Sequence, residues 1–194
     1  MKRRVVSLLA VALFTLAAWA QSSEWQIDPS HTTVAFTVRH FGISNVHGRF
    51  TKVSGSAIVD DNDMTKSSVN ATMDVNSIDT GNENRDKDLK SPNYFDAAQF
   101  PTITFKSKSV SKNGDNKLKI VGDLTIHGVT KEVTLDVDGP SAPMTQGPNQ
   151  RRGLAATTSV NRKDFGVGAK ASAAMIGEEI KIELDVELTH KAAQ

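Results

Sequence analysis

From Glu179 to Leu188 the chain alternates without a break. Ile180, Ile182, Leu184, Val186 and Leu188 are apolar, while Glu179, Lys181, Glu183, Asp185 and Glu187 are charged. A period of two puts every apolar side chain on one face of an extended strand and every charge on the other. A helix would scatter the same residues around its whole circumference. The pattern recurs upstream: Val34, Phe36, Val38 and His40 share a face opposite Thr33, Ala35, Thr37 and Arg39. Val69, Ala71, Met73 and Val75 alternate with Asn70, Thr72 and Asp74, and Ile103 and Phe105 begin another run. Leu118, Ile120, Leu124 and Ile126 line up across Gly122, where a bulge is expected. Val133, Leu135 and Val137 face away from Glu132, Thr134 and Asp136. With further runs at 46–50, 53–59 and 152–160, the count reaches about eight or nine strands. Strands wet on one face and apolar on the other pair antiparallel.

The punctuation between runs agrees. Lys112-Asn113-Gly114-Asp115 carries the Asn-Gly hairpin signal, and His127-Gly128-Val129-Thr130 joins the next pair. Only residues 82–100 look helical or irregular, with one or two short helices expected before Pro101. Residues 138–150 hold three prolines and two glycines and read as a long surface loop. The expectation is one all-β domain over residues 21–194. Periodicity leaves barrel and two-sheet sandwich open, because both bury one face of each strand.

The first twenty residues stand apart. Lys2, Arg3 and Arg4 precede an apolar stretch from Val5 to Ala17, and Ala18-Trp19-Ala20 supplies a small-x-small cleavage pattern. The apolar stretch is about 13 residues, too short for a hydrocarbon core of about 30 Å. Residues 1–20 are therefore expected to be a cleaved signal peptide, with Gln21 as the new N-terminus and no transmembrane anchor in the mature form. Without them, 20 Lys and Arg face 22 Asp and Glu, a net charge of −2. No basic stripe remains to neutralise a phosphate backbone, so a nucleic-acid partner is not expected. An exported domain with no cysteine suits the bacterial periplasm better than a small disulfide-built secreted module.

Catalytic chemistry has no visible home. Asp28, Ser30 and His31 lie too close in the chain to align as a triad, and read as a capped turn. His31, His40, His47, His127 and His190 match no compact ligand spacing, so no metal is expected. His40, on an apolar strand face, is the best candidate for a polar contact inside the fold. Asn84-Arg85-Asp86 either orders the non-β segment or presents a charge to a ligand head group. Asn161-Arg162-Lys163-Asp164-Phe165-Gly166 poses the same choice at a strand end.

Several blocks in register resemble the YceI-like polyisoprenoid-binding proteins of the bacterial periplasm. They are Trp25-Gln26-Ile27-Asp28 with His31; His40-Phe41-Gly42-Ile43-Ser44 with Gly48-Arg49-Phe50; and Asn84-Arg85-Asp86 with Leu89, Ser91, Phe95-Asp96 and Phe100-Pro101. The run from Gly122 to Lys131 and the block from Asn161 to Gly166 complete them. Asp88 departs from the pattern where a histidine is usual, as does Tyr94 where a phenylalanine is usual.

The resemblance implies an antiparallel lipocalin-like β-barrel of about eight strands, with one or two short helices packed at one end. Its apolar cavity would hold a long-chain isoprenoid lipid or quinone. Wall residues are then Phe36, Val38, Phe41, Phe50, Ala71, Met73, Val75, Ile78, Leu89, Phe95, Ile103, Phe105 and Phe165. Arg85, His40 or Arg162 would meet the head group at the mouth. No cofactor beyond the bound lipid is implied, and a homodimer covering a protruding tail stays open. Two other readings are an enzyme acting on a lipid head group through His31 or His40, and a protein-interaction barrel with a filled core.

Overall fold

The computed structural model describes residues 22–191, and the leader expected at 1–20 lies outside them. Twelve strands follow in chain order: β1 (Ser22–Ile27), β2 (Thr33–His40), β3 (Ser44–Phe50), β4 (Val53–Asp60), β5 (Ser68–Asp74) and β6 (Ile78–Asp79). After the helix α1 (Glu83–Lys90) come β7 (Thr102–Lys112), β8 (Lys117–Ile126), β9 (Val129–Asp138), β10 (Met144–Gln146), β11 (Asn149–Asn161) and β12 (Ile176–Lys191). Every pairing is antiparallel, as the one-sided alternation demands.

Eight strands close a ring in the order β11-β9-β8-β7-β5-β4-β1-β12, with β12 returning to β11. The closing seam is long, running from Asn149 opposite Lys191 to Asn161 opposite Glu179. The other edge of β12 is shared, since its first part pairs with β2 and Leu188 and Thr189 pair with β1. β2, β3 and β6 extend the wall beyond the ring. The fold is thus the expected barrel, and the sandwich is excluded by closure.

Three local readings change. The bulge lies on β7 rather than at Gly122: Ser107 opposes Gly122 and Ser109 opposes Val121, leaving Lys108 as the extra residue. Parity therefore flips along β7, so that Ile103 and Phe105 are buried on one side of the bulge and Val110 on the other. Gly122 keeps the alternation of β8 intact and makes room for the Phe105 ring, whose Cζ lies 2.5 Å from where a Cβ would stand. The proline-rich 138–150 segment is only partly loop, because Met144–Gln146 pairs back onto β11. Val75 leaves its strand for a single 3-10 turn, 75–77.

The 82–100 segment forms one helix followed by turns. Asn82 caps α1 by accepting a hydrogen bond from the Arg85 N–H at 3.0 Å. Glu83 and Asp86 occupy its first turn and Lys87 and Lys90 its last, matching the helix dipole. Among the described residues no helix is long and apolar enough to cross a membrane.

The Gly122 contact predicts that Gly122→Ala lowers stability by about 1–3 kcal/mol, since the Phe105 ring must leave its rotamer and the Lys106 carbonyl lies in the way. A urea denaturation midpoint equal to that of the wild type would refute the close approach.

Candidate binding cavity

The inward faces of the ring do not meet at its centre. They enclose a cavity of about 610 Å³, within the range of about 300–1,000 Å³ usual for small-molecule sites. Space remains because several inward positions are small: Ala57, Ala71, Ala156 and Thr158. The cavity runs the length of β5, from Met64 and Ser67 before that strand to Asn84, Arg85 and Asp88 beyond its other end. Its walls are aliphatic and aromatic, and most of the polar side chains that reach it gather at the α1 end. There stand Arg39, His40, Asn84, Arg85, Asp88 and Tyr94.

Of the expected wall residues, Phe36, Val38, Phe50, Ala71, Met73, Leu89, Phe95, Ile103, Phe105 and Phe165 line this space, together with His40, Arg85 and Arg162. Phe41, Val75 and Ile78 do not. Phe41 lies in the turn between β2 and β3 at φ 49°, which breaks strand parity and leaves it 52% exposed. Val75 and Ile78 are buried, on the 3-10 turn and on short β6, and pack into the core without reaching the cavity surface.

The three mouth candidates have different environments. Arg162 is buried, and its guanidinium donates to five backbone carbonyls: Gly177 (3.0 Å), Val167 (3.0 Å), Gly168 (2.5 Å), Ala171 (3.0 Å) and Ile176 (3.0 Å). All five of its N–H groups are engaged, so it organises the 162–177 segment and has no donor left for a head group. Arg85 is held from one side only, with Nε donating to Thr80 Oγ1 at 2.7 Å and Nη2 to the Thr80 carbonyl at 2.8 Å. Its neighbour Asp86 accepts from the Thr80 N–H and hydroxyl instead of pairing with it. Among the described residues Arg85 has no carboxylate partner and Nη1 no hydrogen bond. The His40 ring likewise has no hydrogen-bond partner among them and stands edge-on to Phe41, with centroids 4.4 Å apart. Beside these groups the Tyr94 hydroxyl is pushed above its ordinary pKa, by burial first and by the Asp88 charge second, against an opposing pull from Arg162. It stays protonated and adds a neutral polar group to the mouth.

Beyond the opposite end of the cavity lies a buried cluster that sequence reasoning passed over. Arg152 shares the inward parity of Leu154, Ala156 and Val160, and it is buried. Its Nη2 donates to both oxygens of Asp61 at 2.6 and 2.7 Å, and its Cζ lies 4.8 Å above the centre of Trp25, itself 1% exposed. Position along the alternating strand was the signal available for it.

The Asp28-Ser30-His31 group forms the turn leading into β2, on the outer face. Asp28 accepts from the Ser30 backbone N–H at 2.8 Å, from His31 Nδ1 at 3.0 Å and from Arg151 Nη1 at 3.0 Å. Ser30 contributes its backbone N–H, and its hydroxyl makes no hydrogen bond to the histidine among the described residues. Asp28, His31 and Glu187 lie close enough together to suggest a cation site, but the Arg151 guanidinium already bridges the two carboxylates. The His31 contact, reinforced by Ser30 and Arg151 against the cost of burial, holds the Asp28 carboxyl down to about 2.

Two consequences are measurable. Arg162→Lys offers three donors to five carbonyls and is expected to cost about 2–4 kcal/mol in urea denaturation; an unchanged midpoint would show that those carbonyls find water. Asp28 lies below its ordinary 3.8, so its stabilising contribution is complete above about pH 4 and fades as pH falls towards 2. Asp28→Asn should cost about 1–2 kcal/mol at pH 7, with the difference from wild type vanishing near pH 2. A constant difference across that range would contradict the assignment.

A model of the YceI-like domain matches residues 25–188. The protein YceI of Salmonella arizonae is 34% identical over 193 residues, covering 96% of this chain and 97% of its own. The crystal structure of a Campylobacter jejuni YCEI protein is 28% identical with a TM-score of 0.72, covering 79% of this chain and 90% of its own. A polyisoprenoid binding domain from Saccharophagus degradans, implicated in plant cell wall breakdown, has a TM-score of 0.66 at 15% identity, covering 89% of this chain and all of its own. At that identity the likeness is one of fold.

Proposed function

From the premise that this chain belongs to the YceI-like family, a binding-domain fold, we propose that it is a periplasmic carrier or store for a long-chain isoprenoid lipid, a polyprenyl lipid or an isoprenoid quinone. The observation that carries the reading is a long apolar cavity with its polar residues concentrated at one end. That is the negative image of an amphipathic molecule. The polyisoprenoid-binding description of the Saccharophagus domain supports the same ligand class. The signal-like residues 1–20 support export.

Binding of this kind needs no reacting group. Each buried CH₂ contributes about 0.8 kcal/mol, so an isoprene unit of five carbons contributes about 4 kcal/mol before losses. Ordering a flexible tail and its partner side chains takes back a large share. Tail length is read by the depth of the cavity, and Arg85, with free hydrogen-bonding capacity, meets the head group. The ligand is held rather than turned over, since the His40 ring makes no hydrogen bond to a carboxylate or hydroxyl among the described residues. A cavity of this size also favours the carrier reading over a barrel filled by its own side chains.

Organic extraction of the purified protein followed by mass spectrometry tests this directly. A polyprenyl or quinone species is expected, and a protein that is empty and takes up neither would end the proposal. Ala71→Trp, on the wall between its strand neighbours Phe105 on β7 and Gly55 on β4, is expected to shorten the accepted tail by one or more isoprene units. Uptake of the same tail lengths would show that the occupied part of the cavity lies elsewhere.

A further inference from the structure

We propose that the turn 41–43 and the segment 169–175 form a rim that seats the cavity mouth on an anionic lipid bilayer. The proposal rests on the carrier reading above. Phe41 is 52% exposed, Ile43 82% and Met175 48%, three of the five large apolar side chains found exposed among the described residues. They belong to one patch: the Phe41 N–H donates to the Met175 carbonyl at 2.9 Å, and Ile176 pairs with His40. The patch is continuous with the mouth, because Arg39, His40 and Ile176, which flank these residues in the chain, line the cavity. Arg39, Asn84 and Asp88 line the cavity and are also exposed, so the cavity meets solvent at this end.

The turn is built to hold its side chains outward. Phe41 and Gly42 take φ 49° and 69°, the Ile43 N–H donates to the His40 carbonyl at 3.1 Å, and Arg39 Nη2 donates to the Gly42 carbonyl at 2.7 Å. A bulky residue in the left-handed region is uncommon and is kept where the surroundings require it. Here the conformation removes an aromatic ring from the barrel wall and presents it to solvent.

Charge identifies the occupant. Residues 41–43 read Phe-Gly-Ile and residues 169–175 read Ala-Lys-Ala-Ser-Ala-Ala-Met, so Lys170 is the only charge and it is positive. Among the described residues Arg39 beside the turn is bonded to neutral oxygens only, and Arg85 stands across the mouth without an acidic partner. Glu178, the nearest acid along the chain, is paired with Lys163 at 2.6 Å. Apolar anchors flanked by Lys170, Arg39 and Arg85, against the one exposed carboxylate of Asp88 at the mouth, suit the interface of an anionic bilayer. A second copy of the chain would need about 800 Å² on each side for a stable contact, more than three side chains supply. A tail that leaves the bilayer through a seated mouth also avoids crossing water.

The test is co-sedimentation of the purified protein with vesicles of phosphatidylglycerol and phosphatidylcholine, compared with phosphatidylcholine alone. The wild type is expected to bind the anionic vesicles, the combined Phe41→Asn, Ile43→Ser and Met175→Ser variant about tenfold less, and Lys170→Glu about threefold less. Ile43→Trp supplies a gain of signal that does not depend on the triple variant folding: its fluorescence should shift to the blue when anionic vesicles are added, over a buried Trp25 background. Absence of both vesicle binding and the blue shift would overturn the proposal. So would a wild type that ignores vesicles but forms a dimer which the triple variant dissolves, because the patch would then be a protein interface. Uptake of polyprenol from solution without vesicles separates the two readings. A protein that loads but never docks refutes the rim alone, and one that docks but never loads refutes the carrier alone.

Discussion

Strand β12 is hydrogen-bonded along both edges, to β11 on one side and to β2 and then β1 on the other, and this pairing closes the sheet. Closure of eight strands removes the ring's free edges, which would otherwise invite pairing with another chain. It also sets the scale of the interior, since a ring of about eight strands is wide enough either to be packed or to hold one ligand. Which of the two occurs is decided by residue size on the inner face. Ala57, Ala71, Ala156 and Thr158 stand where larger side chains would meet, so the ring stays hollow.

The two ends are built on opposite principles. At the Trp25 end, the buried Arg152 is paired with Asp61 through Nη2 and stacked on the indole, while its buried Nε has no hydrogen-bond partner among the described residues. Removing Asp61 would leave the buried Arg152 charge uncompensated, whereas the carboxylate of Asp61 is half exposed to solvent. At the α1 end the side chains are polar, partly exposed and only partly engaged. Arg162 gives all its donors to backbone carbonyls and stiffens the segment beside the mouth, whereas Arg85 keeps capacity in reserve. An amphipathic ligand therefore has one favourable orientation.

Much of this was legible in the residues. The alternation of β12, β9 and β8 is one-sided and unbroken, and wherever one face is buried such a pattern allows a single register. The turn at His127-Gly128 was readable because both residues take positive φ, which restricts residue choice, whereas the β7–β8 connection spans 113–116 with positive φ at Gly114 and Asn116 and not at Asn113. The misreadings share a cause. Lys108 looks like an ordinary outward residue until its partner strand shows it to be the extra one. Phe41 carries the composition of a wall residue, but a three-residue turn takes it out of the alternation. Arg162 has the same formal chemistry as Arg85, and the carbonyls that engage it come from residues up to fifteen positions away.

The chain by itself determined the strands, their buried faces and the antiparallel pairing, because these follow from a period of two acting within single segments. Tertiary structure decided that the sheet closes, that the interior is left hollow and that its polar groups collect at one end. Those properties depend on which strands meet and on which side chains face each other across the ring, and no local period encodes either. The exposed rim of Phe41, Ile43 and Met175 belongs to the second class: residues more than 130 positions apart become one surface only when β2 lies beside β12.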